Sequence, residues 1–206
     1  VCTRTFGGCW SPSWESLPSG IASNILDVFA VSPTSVYAVG QDGIIIHWNG
    51  ATWTAMTPGT TVTLRSVWAA SDSDVIVVGD SETVLRYDGS TWADISPGAA
   101  FDLYAVWGFS ASAVWIVGNG GTIWRWNGSS WQDRSMPTTP SLRTLWGASE
   151  SDIHFGAVGG WAYRWNGASY SSNDPPVRPS TFNDIWGSGP NDVFFATSEP
   201  AVYHWD

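Results

Sequence analysis

Lysine does not occur in this sequence of 206 residues, and its eight arginines face 18 aspartates and glutamates, a formal charge of −10. Contact with phosphate backbones relies on clustered Lys and Arg, so nucleic acid is not an expected partner. The same deficit disfavours docking on anionic membrane surfaces. No stretch approaches about 18 uninterrupted apolar residues, so no membrane-inserted helix is expected. The opening Val1-Cys2-Thr3-Arg4 has neither a starting Met nor a signal-peptide pattern, which reads as a processed or excised piece. Cysteine occurs only at Cys2 and Cys9. That pair reads as a short-loop disulfide in an exported, secreted or cell-surface protein, with two unrelated thiols as the alternative. A metal site there is disfavoured, because no His or further Cys is nearby.

Glycine (22), proline (12) and tryptophan (16) are abundant instead. The chain is too apolar for disorder and too punctuated by turn formers for long helices. An apolar pair recurs at Val28-Phe29, Val67-Trp68, Val106-Trp107, Leu145-Trp146 and Ile185-Trp186, in steps of 39, 39, 39 and 40 residues. Trp48, Tyr87, Trp126, Trp165 and Trp205 keep the same steps. Each unit reads as four short strands: a, Leu-x-x-Val-Trp; b, a β-branched run ending in Gly; c, ending in the second aromatic; and d, starting at Trp53, Trp92, Trp131 or Tyr170. The c–d connections Asn49-Gly50, Asp88-Gly89, Asn127-Gly128 and Asn166-Gly167 are hairpin-turn signals. Four-stranded units at this period predict an all-β fold, a five-bladed β-propeller of antiparallel blades.

The fifth unit stops at Trp205-Asp206, before its strand d. Ser13-Trp14-Glu15-Ser16-Leu17-Pro18 resembles Thr52-Trp53-Thr54-Ala55-Met56-Thr57-Pro58 at the opposite end. The expected organisation is therefore a tail (1–13) and a single propeller (14–206), in which residues 14–20 supply the outer strand of the last blade (183–206) and close the ring.

Twelve tryptophans occupy three repeat positions and are expected to pack between blades, where each buries about 200 Å². Trp10, Trp115, Trp124 and Trp161 are required by no repeat rule and are the better ligand candidates, Trp124 and Trp161 lying near b–c connections, with packing variants as the alternative. A basic residue precedes the strand-c aromatic in every unit: His47, Arg86, Arg125, Arg164 and His204. Twelve residues earlier stand Asp74, Asp152 and Asp192, and the antiparallel b–c pairing predicts structural ion pairs Asp74–Arg86, Asp152–Arg164 and Asp192–His204. The acids Asp42, Asp80, Glu82 and Glu199, with Asn119 at the matching place, lie in b–c connections on the loop rim and are further ligand candidates, with solvated turns as the alternative. Calcium at Asp72 and Asp74 lacks the full loop signature. No nucleophile elbow, phosphate loop, His-Glu-x-x-His or Cys-x-x-Cys motif occurs, so neither catalytic residues nor a cofactor are expected.

The unit Val-Trp-Gly-x-Ser-x-x-Asp-Val-x-x-Val-Gly-x-x-Gly-Thr-Ile-x-Arg-Trp-Asn-Gly-x-Ser-Trp resembles the short Trp-rich propeller repeats of many exported bacterial proteins. Val106 to Trp131 is its fullest copy, with Ala113 in place of the Asp. The Asn-Gly-x-Ser/Thr-Trp turn is similar to the Asp-box of sialidases, Ser-x-Asp-x-Gly-x-Thr-Trp, but here the Asn or Asp abuts the Gly. Five short blades also resemble the architecture of tachylectin-type lectins, a similarity that implies sugar binding without transferring residues. The expected function is a non-catalytic, lectin-like propeller binding a glycan at rim sites. The alternative is a protein-interaction or scaffolding module of a larger exported protein, and a third reading is a glycoside-acting enzyme.

Overall fold

The computed structural model describes residues 16–98, 101–136, 140–172, 174–175 and 177–206. Each repeat folds into one antiparallel sheet. Blade I comprises β1 (Ile25–Ser32), β2 (Ser35–Gly40), β3 (Ile45–Trp48) and β4 (Trp53–Met56). Blade II comprises β5 (Leu64–Ser71), β6 (Asp74–Gly79), β7 (Val84–Tyr87) and β8 (Trp92–Asp94). Blade III comprises β9 (Leu103–Ser110), β10 (Ala113–Gly118), β11 (Ile123–Trp126) and β12 (Trp131–Asp133). Blade IV comprises β13 (Leu142–Ser149), β14 (Asp152–Ala157), β15 (Ala162–Trp165) and β16 (Tyr170–Ser172). Blade V holds β17 (Phe182–Gly189), β18 (Asp192–Thr197) and β19 (Val202–Trp205), with no fourth strand among the described residues. Trp14 and Glu15, where the closing strand is expected to begin, lie outside the described residues, as do Cys2, Cys9 and Trp10. Residues 16–20 belong to no strand.

Strand alternation explains the packing. On β6, Val75 and Val77 face blade I, while Ile76 and Val78 face blade III, and all four are fully buried. The sheets are therefore stacked side by side. β1 lies against β5, β5 against β9, β9 against β13 and β13 against β17, so the first strand of each repeat is innermost. Strand-a aromatics fasten neighbouring blades. A Cβ on Gly108 would stand 2.6 Å from the Trp68 ring, and one on Gly187 would stand 2.8 Å from Trp146, so only glycine admits these indoles. The Trp107 indole N–H donates to the Gly147 carbonyl at 3.2 Å. Deeper on the inner strands, Asp27 accepts from the Ser66 hydroxyl (2.8 Å) and the Val67 N–H (2.9 Å), and the Thr144 hydroxyl donates to Asp184 at 3.4 Å.

The c–d hairpins are held by their first residue. The Asp88 carboxylate accepts the N–H groups of Ser90 and Thr91, both at 2.8 Å, while Gly89 turns the chain at φ 94°. Asn49, Asn127 and Asn166 do the same. These bonds hold the Asp88 carboxyl down at about 2, the Thr91 and Ser90 donors being the main cause.

Candidate functional site

The register of the inner strands shifts once near the start of each, in every blade. In β5, Leu64 pairs with Gly79 and Ser66 with Val78, so Arg65 stands between them without a partner. Leu26, Tyr104, Arg143 and Asn183 occupy the equivalent places. A bulge of this kind re-aims the extra side chain. All five side chains line one hollow of about 380 Å³ where the inner strands begin, joined by Thr181 and Ser198. This is the axial mouth on the rim of the b–c and d–a connections.

One wall of the mouth is cationic and aromatic. The Arg143 guanidinium lies 4.2 Å from the Tyr104 ring centroid and that of Arg65 lies 5.4 Å from it, so two arginines flank one phenol. Arg65 is anchored by Asp80, Nε to Oδ1 at 2.5 Å. Arg143 is exposed and forms no ion pair among the described residues. The opposite wall is Leu26, 45% exposed, beside Asn183. One residue further along the inner strands stand Asp27 and Asp184, engaged with the neighbouring blades as described above. Burial raises the Asp27 carboxyl above its usual range, with the Asp184 charge adding to the effect. The mouth thus presents donors with acids below them, and the Arg143 donors are exposed and outside any ion pair among the described residues.

The rim candidates read from the sequence are spread over the blades. Asp42 accepts from the Ser23 hydroxyl (2.8 Å) and Asn119 from that of Ser141 (2.5 Å). Hydrogen bonds from the Ser180 side chain and from its N–H, the latter at 2.7 Å, lower the Glu199 carboxyl below the usual range. Glu82 is buried in a turn at φ 64°. Of this set, Asp80 reaches the mouth through Arg65, and Glu199 reaches it through the Ser198 hydroxyl, which donates to it at 3.1 Å. Trp124 packs into the blade II–III core, and Trp161 carries the Arg178 guanidinium 3.5 Å from its ring centroid. The three structural pairs stand at 2.6 Å (Arg86–Asp74), 2.5 Å (Arg164–Asp152) and 2.9 Å (His204–Asp192). Asp72 accepts a hydrogen bond from the Ser35 hydroxyl.

Sequence reasoning passed over Arg65, Tyr104 and Arg143. The available signal was the pair of x positions in Leu-x-x-Val-Trp: the first reads Leu, Arg, Tyr, Arg and Asn, and the second Asp, Ser, Ala, Thr and Asp, between apolar flanks. Variation at those two positions of a regular repeat marks places that the shared packing does not dictate.

No known family matches the chain by sequence profile, and no curated protein is matched. Solved structures do match. A YCF48 structure bound to a D1 peptide shares 17% identity at a TM-score of 0.72, over 94% of this chain and 68% of that one. YCF48 from Cyanidioschyzon merolae shares 16% identity at 0.69, over 92% of this chain and 71% of the other. The WD40 β-propeller domain of Doa1 shares 14% identity at 0.75, over 89% of this chain and 65% of the other. The fold is that of a β-propeller, and the chain spans about two thirds of the length of the propellers it matches.

Proposed function

We propose that this chain is a non-catalytic protein-interaction propeller that holds an extended, carboxylate-bearing peptide segment at its axial mouth. The Arg65–Tyr104–Arg143 stack carries the reading. A guanidinium offers paired donors to a carboxylate, and a phenol beneath it fixes its plane. The Leu26 wall gives an apolar side chain of the same segment a place. Propellers among the structural neighbours support a protein ligand, one of them having been solved with a peptide. A sugar-stacking role has less support, because Trp68, Trp126 and Trp146 are at most 6% exposed and serve the seams between blades.

The test is a titration of the purified chain with fluorescent peptides ending in acidic residues, beside versions with amidated carboxamide side chains and C-terminus. Arg143→Ala should weaken the acidic peptide about tenfold, the worth of one charge-assisted contact of about 1.5 kcal/mol. The melting temperature should stay unchanged, since Arg143 is exposed. Equal affinity for acidic and amidated peptides, or for wild type and Arg143→Ala, would remove the mouth from the function.

A further inference from the structure

Four blades end in an aromatic pair, of which blade V shows only half among the described residues. The first residue of strand d stacks on the last residue of strand c, with ring centroids 5.6 Å apart for Trp53–Trp48, 5.1 Å for Trp92–Tyr87, 5.2 Å for Trp131–Trp126 and 4.8 Å for Tyr170–Trp165. In blades III and IV this residue also hydrogen-bonds to the preceding blade. The Trp131 indole N–H donates to the Ile95 carbonyl at 2.6 Å and the Tyr170 hydroxyl to the Arg134 carbonyl at 2.9 Å. Blade V presents Trp205 without such a partner among the described residues.

The corresponding place between blades IV and V is a cleft of about 340 Å³, walled by Tyr163, Phe182, Phe195, Tyr203 and Trp205 with His154 beneath. The edge of β19 beside it is unpaired among the described residues. Val202 on that edge is 68% exposed, whereas Ile45, Val84 and Ile123 at the same repeat position are fully buried. An unpaired edge next to an apolar slot is a template for one more strand.

We propose that this edge and slot are the receptor for residues 14–17 of the same chain, with Trp14 as the inserted side chain. Trp14 lies 39 residues before Trp53, as Trp53 lies 39 before Trp92. The connection to the next strand a also fits. Leu17 precedes Ile25 by eight positions, as Met56 precedes Leu64, Ile95 precedes Leu103 and Arg134 precedes Leu142. Taking the pairing of Tyr87 with Trp92, Arg86 with Ala93 and Leu85 with Asp94 as the pattern, Trp14 falls opposite Trp205, Glu15 opposite His204 and Ser16 opposite Tyr203. Glu15 beside His204 sets a carboxylate next to an imidazole, a polar cross-strand pair. Leu17 then covers Val202, as Ile95 sits beside Val84. Leu17 is 46% exposed where it stands outside any strand, so docking removes two apolar side chains from water together.

The experiment places Glu15→Cys and His204→Cys in a full chain carrying Cys2→Ser and Cys9→Ser, oxidises it, and reads the bond by peptide mapping and by mass under non-reducing conditions. In parallel, thermal unfolding compares Trp14→Ala with Trp10→Ala, the latter a tail tryptophan outside the repeat register. An intrachain bond together with a melting point lowered by about 6 °C or more in Trp14→Ala alone is expected. Absence of the bond overturns the proposal, as does equal melting of the two tryptophan variants. A bond formed only between chains overturns it in favour of strand exchange with a second copy. The cysteine variant retains Trp14, so the cross-link can be read even if Trp14→Ala fails to fold.

Discussion

At the scale of single residues, contact distances decide what each repeat position tolerates. Gly108 shows this most sharply: an alanine methyl there would press into Trp68. Gly108→Ala should cost about 1–3 kcal/mol, read as a lower midpoint in urea. Gly189→Ala, whose Cβ meets nothing within 4 Å, should stay within about 0.5 kcal/mol of wild type. If the two variants unfold alike, indole-on-glycine packing is not what fixes the seam. His154 makes a second residue-scale case. It is 1% exposed, with its ring 6.0 Å from those of Phe195 and Trp205, and burial pushes its pKa from 6.5 to about 4. The unfolded chain therefore binds the proton more readily, and stability is lost as pH falls from 6.5 through 4, by at most ~3 kcal/mol. Asp27, raised by burial, contributes with the opposite sign over its own range. His154→Phe, which copies Phe194 of blade V, should flatten the decline between pH 6.5 and 4 in denaturant titrations. An unchanged slope would assign the acid sensitivity to the carboxylates.

At the scale of elements, the b–c strand pair shows what an ion pair contributes in two settings of one repeat position. Arg164 faces Asp152, which is 6% exposed, whereas Arg125 in blade III finds Ala113 where the Asp should be and turns to Glu150 on the surface. Arg164→Ala strands a buried carboxylate and should cost about 2–4 kcal/mol. Arg125→Ala should cost about 1 kcal/mol or less. Equal losses in calorimetry would mean that burial of the partner is irrelevant. The strands themselves were legible in the sequence, because β-branched runs bounded by Gly and Asn-Gly turns leave little choice: β6 ends at Gly79 and β8 starts at Trp92, as read. The register shift at Arg65 was not. A bulge is set by how two strands meet, and nothing in the alternation of one strand shows that its second residue has slipped out of the ladder. For that reason the ligand candidates were placed on the b–c turns, where Asp42, Asn119 and Glu199 instead fasten loop to loop.

At the scale of the whole molecule, blades V and I face each other without the packing that fills the four seams between successive blades. Trp68 and Trp146 are 5% exposed in their seams, while Trp186 at the same position is 61% exposed and Val28 on blade I is 59% exposed. Blade I also supplies Leu26 to the mouth, and residues 18–24 connect that strand to the segment proposed to dock on blade V. Docking thus ties the Leu26 wall to blade V, the blade that contributes Asn183 and Thr181 to the same hollow. A ligand spanning from Arg143 to Leu26 selects the docked arrangement, and binding and docking favour one another by the same factor. Trp14→Ala should accordingly weaken the acidic peptide by roughly threefold to tenfold, within the usual range of coupling free energies. Saturating peptide should raise the melting point of wild type more than that of the variant. Were Trp14→Ala to melt early and yet bind the peptide as wild type does, strand docking would serve stability alone, and the arginine wall would hold its ligand without help from blade I.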